Sequence, residues 1–85
     1  MKLDLATPEK SRPTVEVHEL TAPTACGETT ILPGHARLLS ELAEGILSYR
    51  TGSGTERLAV KGGVLEVKDD HILVLCDEME SPPSA

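Results

Sequence analysis

The sequence predicts an all-β domain, a sandwich or a barrel. Short apolar runs recur at intervals of about eight to twelve residues, with glycine- and proline-rich turns between them. No helical hydrophobic period extends beyond about ten residues, and there is no internal repeat. Several runs alternate strictly between apolar and polar residues, as half-buried strands do.

Leu3 and Leu5 alternate with polar neighbours and predict a first strand. Thr7 to Pro13 reads as its turn. Thr14 to Leu20 alternates Val15, Val17 and Leu20 against Glu16, His18 and Glu19, predicting one strand with its charges in water. Pro23 is a poor strand interior, so Thr21 to Gly27 is expected to end it. A strand from Thr29 to Leu32 leads into a tight turn at Pro33-Gly34, and chain direction resumes near Leu38. Glu28 and His35 are then expected in the turns on either side, at an end of a sheet where a rigid scaffold presents them. Ser40 to Glu44 allows one helical turn, which Gly45 closes. Ile46 to Thr51, the turn Gly52-Ser53-Gly54, and Glu56 to Lys61 form a hairpin. Gly62-Gly63 marks a bulge or a sharp bend. Val64 to Val67, a turn at Lys68 to His71, and the apolar run Ile72 to Cys76 complete the pattern. A continuous apolar run predicts a central strand covered on both faces. The predicted core holds Val15, Val17, Leu39, Leu58, Val60, Val67 and Val74. The domain is expected to span residues 1–78, with 79–85 as a flexible tail.

The chain length allows one domain with a small core. With no Phe or Trp and a single Tyr, Tyr49, that core must be aliphatic. A net charge of −6 argues against nucleic acid, which needs a basic footprint. It argues equally against anionic lipid headgroups. No apolar run approaches the ~18 residues of a membrane span, and no signal-peptide core follows Met1. Cys26 and Cys76 are expected as reduced thiols of a cytoplasmic protein.

The run Gly27 to Leu39 carries a resemblance. It is similar to the pattern G-E-x-G-I-L-P-G-H-A-P-L-L of the epsilon subunits of F-type ATP synthases. Gly27, Glu28, Ile31, Leu32, Pro33, Gly34, His35, Ala36, Leu38 and Leu39 match, while Thr30 replaces a glycine and Arg37 a proline. Leu3 to Glu9, Glu44 to Leu47, Val60 to Val67 and Ile72 to Asp77 resemble further stretches of that family. The resemblance implies a flattened antiparallel sandwich of ten strands. It implies a non-catalytic rotor subunit that joins the central-stalk subunit gamma to the membrane c-ring, with no cofactor. The family places the Glu28 position against the polar loops of the ring, which carry an arginine, and the His35 position against gamma. The implied partner interface is Thr7, Glu28, Thr29, Thr30 and His35. The implied place is peripheral, on the cytoplasmic face of the membrane, and the isolated chain is expected to be a monomer. The helical hairpin that follows the sandwich in most bacterial members, and binds ATP in some, has no counterpart in this sequence.

Read without the family, the same residues offer little chemistry. Glu28 is an ordinary turn carboxylate and His35 an ordinary turn histidine; no nucleophile sits near the latter in a motif. His18, His35, His71, Cys26 and Cys76 lack metal-ligand spacings. Their convergence in a small cupin-like sandwich, as a metal-dependent enzyme or ligand-binding domain, is the rival reading. Cys76, in the most apolar run and beside Asp77, reads as a small buried hydrophobe. Neither glycine cluster is followed by the Lys-Ser/Thr pair of a phosphate loop.

Overall fold

In the computed structural model, which describes residues 1–81, every regular element is a strand. They are β1 (Lys2–Ala6), β2 (Val15–Glu16), β3 (Glu19–Thr24), β4 (Gly27–Ile31), β5 (Leu38–Glu41), β6 (Gly45–Thr51), β7 (Gly54–Lys68) and β8 (His71–Glu80). One continuous ladder joins them in the order β2-β1-β8-β7-β6-β3-β4, with β5 added to β7. All pairs are antiparallel except β1 with β8.

The ladder folds over on itself because β7 and β8 bend together. Residues 63–68 of β7 lie between β5 and the first part of β8, while residues 54–60 pair with β6. Layer one is β2-β1-β8-β7-β5; layer two is β4-β3-β6-β7 with the end of β8. Counting β7 and β8 once in each layer turns eight strands into the ten segments that the resemblance implies. The bend is made by Gly62 (φ +73°) and Gly63 (φ +121°). It is a bend and not a bulge: Lys61 opposes Glu78 and Gly63 opposes Cys76, so no residue is added to either strand.

Leu3, Leu5, Leu65, Val67, Ile72 and Val74 of layer one and Leu20, Ala22, Ile31, Leu47, Leu58 and Val60 of layer two form a single buried cluster. Tyr49, the one aromatic residue, is buried among them. Val17, Leu58, Val60, Val67 and Val74 are buried as the alternation predicts, and Val15 packs against the cluster.

Several local expectations are corrected. The strand predicted from Thr14 to Leu20 is two strands, β2 and β3. The chain crosses between layers at Val17-His18, where Val17 is fully buried and its amide donates to the Met1 carbonyl. Pro23 lies inside β3. Its carbonyl accepts the Ala43 amide on the side away from β4, and pairing with β6 has already ended at Thr21, so no ladder bond needs the missing N–H. Residues 40–42 are extended, not helical. Leu39 is 70% exposed: it stands opposite Glu66 on the outer face, and its neighbour Leu38 turns inward. β8 is central but open on one side, since Ile72, Val74 and Cys76 are buried while Leu75 is 47% exposed. β8 also stays paired to Glu80, beyond the boundary expected at residue 78; positions 82–85 of the expected tail lie outside the described residues.

Candidate functional site

Residues directly opposed on neighbouring strands share a face. In layer one, Leu38–Val67–Ile72–Leu3 and Ser40–Leu65–Val74–Leu5 are the inward rows. The rows between them, Leu39–Glu66–Leu73–Asp4 and Glu41–Val64–Leu75–Ala6, point outward. They expose Leu39, Leu75 and Val64, with Leu73 and Ala6 half-buried beside them. The outer face of layer one therefore carries an apolar stripe across β5, β7, β8 and β1. Sequence reasoning missed it, because Leu39 and Ile72–Cys76 were assigned wholly to the interior. The signal was present in the parity of β7, where Val64 and Glu66 share a face opposite Leu65 and Val67.

His35 stands at one end of this stripe. The Leu32 carbonyl accepts the His35 amide at 3.0 Å across Pro33-Gly34. Gly34 has φ +81°, the conformation required at the third position of a type II turn. The Gly34 amide donates to Asp70 Oδ1 at 2.8 Å, which fastens this turn to the β7–β8 turn. His35 is half-buried, and its Nδ1 donates to the Ala36 carbonyl at 2.7 Å. That bond fixes the ring and leaves Nε2 as the free nitrogen.

Thr7 stands at the other end, just past Ala6. Its amide donates to the Lys10 carbonyl at 2.7 Å, and its hydroxyl accepts the Lys10 amide at 3.1 Å.

Glu28 and Thr30 belong to layer two. Glu28 is within β4, opposite Pro23, and not in the turn expected before it; the turn is Ala25-Cys26. Glu28 and Thr30 are exposed on the outer face of this edge strand, where the Thr30 hydroxyl lies 3.0 Å from that of Thr21. Thr29 points to the opposite face and bonds the Thr24 hydroxyl at 3.2 Å. The five residues are thus not one cluster. Glu28 and Thr30 are together, Thr29 is turned from them, and His35 and Thr7 bracket the stripe of layer one.

Beside the stripe, the Asp4 carboxylate accepts the Thr14 hydroxyl, and His71 Nε2 lies 2.5 Å from Asp4 Oδ2. The Thr14 bond first, and His71 second, hold the Asp4 carboxyl below its ordinary value. Burial, with Asp77 adding to it, pushes the Cys76 thiol up to about 11. Both cysteines are free, Cys26 at the exposed tip of the β3–β4 hairpin. His35 and His71 each follow one member of the hydrogen-bonded Gly34–Asp70 pair, and His18 lies at the crossing between layers. Among the described residues no three His, Cys, Asp or Glu side chains converge on a metal-sized site.

Comparison with known proteins gives a consistent answer. Residues 1–82 match the family described as ATP synthase, Delta/Epsilon chain, beta-sandwich domain. The ATP synthase epsilon chain of Geobacter metallireducens is 45% identical over 94% of this chain, and that of Solibacter usitatus 42% identical over 94%. The match spans 58% and 60% of those relatives, so the chain corresponds to under two thirds of their length. A chain of the Euglena gracilis mitochondrial ATP synthase, in a structure of its OSCP/F1/c-ring, superimposes with a TM-score of 0.84 at 27% identity. That likeness covers 92% of this chain and 51% of the other. A chain of the Tetrahymena thermophila mitochondrial ATP synthase central stalk and c-ring has the same fold, with a TM-score of 0.81 at 20% identity, over 94% and 65% of the two chains. The family match covers nearly the whole chain and the curated relatives exceed 40% identity, so the chain belongs to the ATP synthase delta/epsilon family, as its β-sandwich domain.

Proposed function

We propose that this chain is a non-catalytic rotor subunit of an F-type ATP synthase, linking the central-stalk subunit gamma to the membrane c-ring during ion-driven ATP synthesis. The observation that carries the reading is the apolar stripe on layer one, bracketed by His35 and Thr7. An uncovered patch of aliphatic side chains on a sheet face is a surface that binds protein. We assign this face to gamma. Glu28 and Thr30, outward on edge strand β4, are assigned to the polar loops of the ring. Glu28 has no ion-pair partner within the chain among the described residues, which suits a charge-assisted contact with a ring arginine. The work is mechanical, since a close-packed core transmits force without continuous deformation. The subunit sits peripherally, on the cytoplasmic face of the membrane that holds the ring.

Reconstitution with gamma and the c-ring tests this. Leu75→Asp changes an exposed side chain and is expected to leave the isolated domain within about 0.5 kcal/mol of its stability, while abolishing capture by gamma. His35→Ala is expected to weaken the same capture with little salt dependence. Glu28→Ala is expected to weaken association with the ring in low salt, the effect fading as salt screens it. Undiminished gamma binding by folded Leu75→Asp would remove the stripe from the interface.

A further inference from the structure

The two outward rows of layer one that carry the stripe are bordered by a third. Lys68 of β7 opposes His71 of β8, and His71 is paired with Lys2 of β1. Each adjoins an inward residue, Val67, Ile72 and Leu3 in turn, so all three side chains belong to the outer face. Arg37 precedes Leu38, which opposes Val67, and with Lys68 and His35 it lines an open recess of about 490 Å³. Arg37, Lys68, His71 and Lys2 are all exposed. On the His35 side, the stripe therefore ends in a row of basic residues. That row holds three of the eight Lys and Arg residues of a protein whose net charge is −6. Arg37, Lys68 and Lys2 are in no ion pair among the described residues, while His71 is held by Asp4. Of the nearby carboxylates, Asp4 is taken by Thr14 and His71, and Asp70 by the Gly34 amide. Asp69 lies past the strand ends, and Glu66 stands in the next row with Leu39 and Leu73. The opposite border of the stripe is acidic: Glu41 stands in the Val64–Leu75 row, and exposed Asp77 follows two residues beyond Leu75.

We propose that this basic row receives acidic side chains of the protein that covers the stripe, and so fixes the direction in which that partner lies. The inference rests on the assignment of the stripe to gamma. Gamma then presents Asp or Glu side chains beside its apolar contact, opposite Arg37, Lys68 and Lys2. The Arg37 guanidinium can take a carboxylate through two parallel bonds, and the lysines act as point charges. Pairs at the rim of an apolar contact act mainly on register and association rate. A partner turned end for end sets its carboxylates against Glu41 and Asp77 and leaves the three cations unmatched, so the wrong direction is disfavoured by repulsion. Arg37 stands where the family pattern has proline, so the matching carboxylates are a property of this chain's own gamma. An anionic lipid surface suits the row less well, because Glu66, Asp69 and Asp70 stand around it and the chain as a whole is acidic.

Capture of the full chain by gamma is measured at about 50 mM and about 300 mM salt. The triple variant Lys2→Gln, Arg37→Gln, Lys68→Gln is expected to bind about tenfold more weakly at the lower salt, the deficit shrinking to about threefold or less at the higher. A control with the same change of net charge elsewhere on the surface, Arg12→Gln, Arg50→Gln, Arg57→Gln, is expected to stay within about twofold of the parent. Carbodiimide, which joins an amine to a touching carboxyl as an amide, is expected to link Lys2 or Lys68 to an Asp or Glu of gamma in the parent complex. Undiminished capture by the folded triple variant, or equal weakening of both variants, overturns the proposal. The stripe stays assigned to gamma in that case if Leu75→Asp still abolishes capture. Undiminished capture by Leu75→Asp overturns both. Sedimentation of the parent with phosphatidylglycerol vesicles, lost in the triple variant and kept in the control, would give the row to lipid and overturn the proposal. The amide spectrum of each variant reports whether it is folded.

Discussion

Gly63 and Gly34 both adopt positive φ, yet they are constrained differently. A Cβ on Gly63 would sit 2.0 Å from the Leu75 carbonyl oxygen and 2.8 Å from Cys76 Cα, all backbone that cannot swing aside. A Cβ on Gly34 meets nothing within 4 Å. Gly63→Ala is therefore expected to cost about 3 kcal/mol or more, as strain plus steric conflict, whereas Gly34→Ala costs about 1 kcal/mol of strain alone. Urea melts of the two variants check the order; equal losses would contradict it. Asp4 makes a prediction in pH. Its carboxyl is held below its ordinary value of 3.8 by Thr14 and then His71. A depressed carboxyl stabilises the fold above the unfolded value and loses that contribution as pH falls through the folded one. The stability difference between the parent and Asp4→Asn should hold steady near neutrality and shrink below 3.8. A difference that grows on acidification would reverse the assignment.

At the scale of elements, the sequence was legible wherever alternation alone decides. β1, β6 and both halves of β7 follow from period-2 patterning, and the Pro33-Gly34 turn follows from a residue pair that a type II turn favours. The errors arose where tertiary context chose between equivalent local readings. Val15 and Leu20 fit one strand by pattern, but the chain changes layers between them. Ile72–Cys76 is apolar on both faces, and nothing local distinguishes a covered outer face from one awaiting a partner. The candidate site was legible as residues and not as an arrangement: Glu28 and Thr29 are adjacent in sequence and on opposite faces of β4. Cys76 and Cys26 offer a direct measure of β8. Iodoacetamide should label Cys26 in the native chain and spare Cys76, which is buried with a thiol pushed up to about 11. Labelling of both should appear only with global unfolding. Native labelling of Cys76 would mean that β8 opens locally despite its central position.

For the whole molecule, the two layers are one hydrogen-bonded sheet that shares β7 and β8. The stripe of layer one and edge strand β4 of layer two are therefore connected through covalent backbone as well as through packed side chains. Amides of β7 on both sides of Gly62-Gly63 should exchange at similar rates, set by the global transition. Faster exchange of one half would show that the layers open separately. The shared strands also bear on loading from outside. In a sandwich of independent sheets, a tangential pull sets only side-chain contacts against the load, and one sheet slides over the other. Here β7 acts as a spar running from one layer into the other, so relative sliding must first tear the ladder that flanks it. Stretched between anchors on Leu39 and Thr30, a single molecule should resist as one body and yield in one rupture, with no earlier step in which a layer peels away.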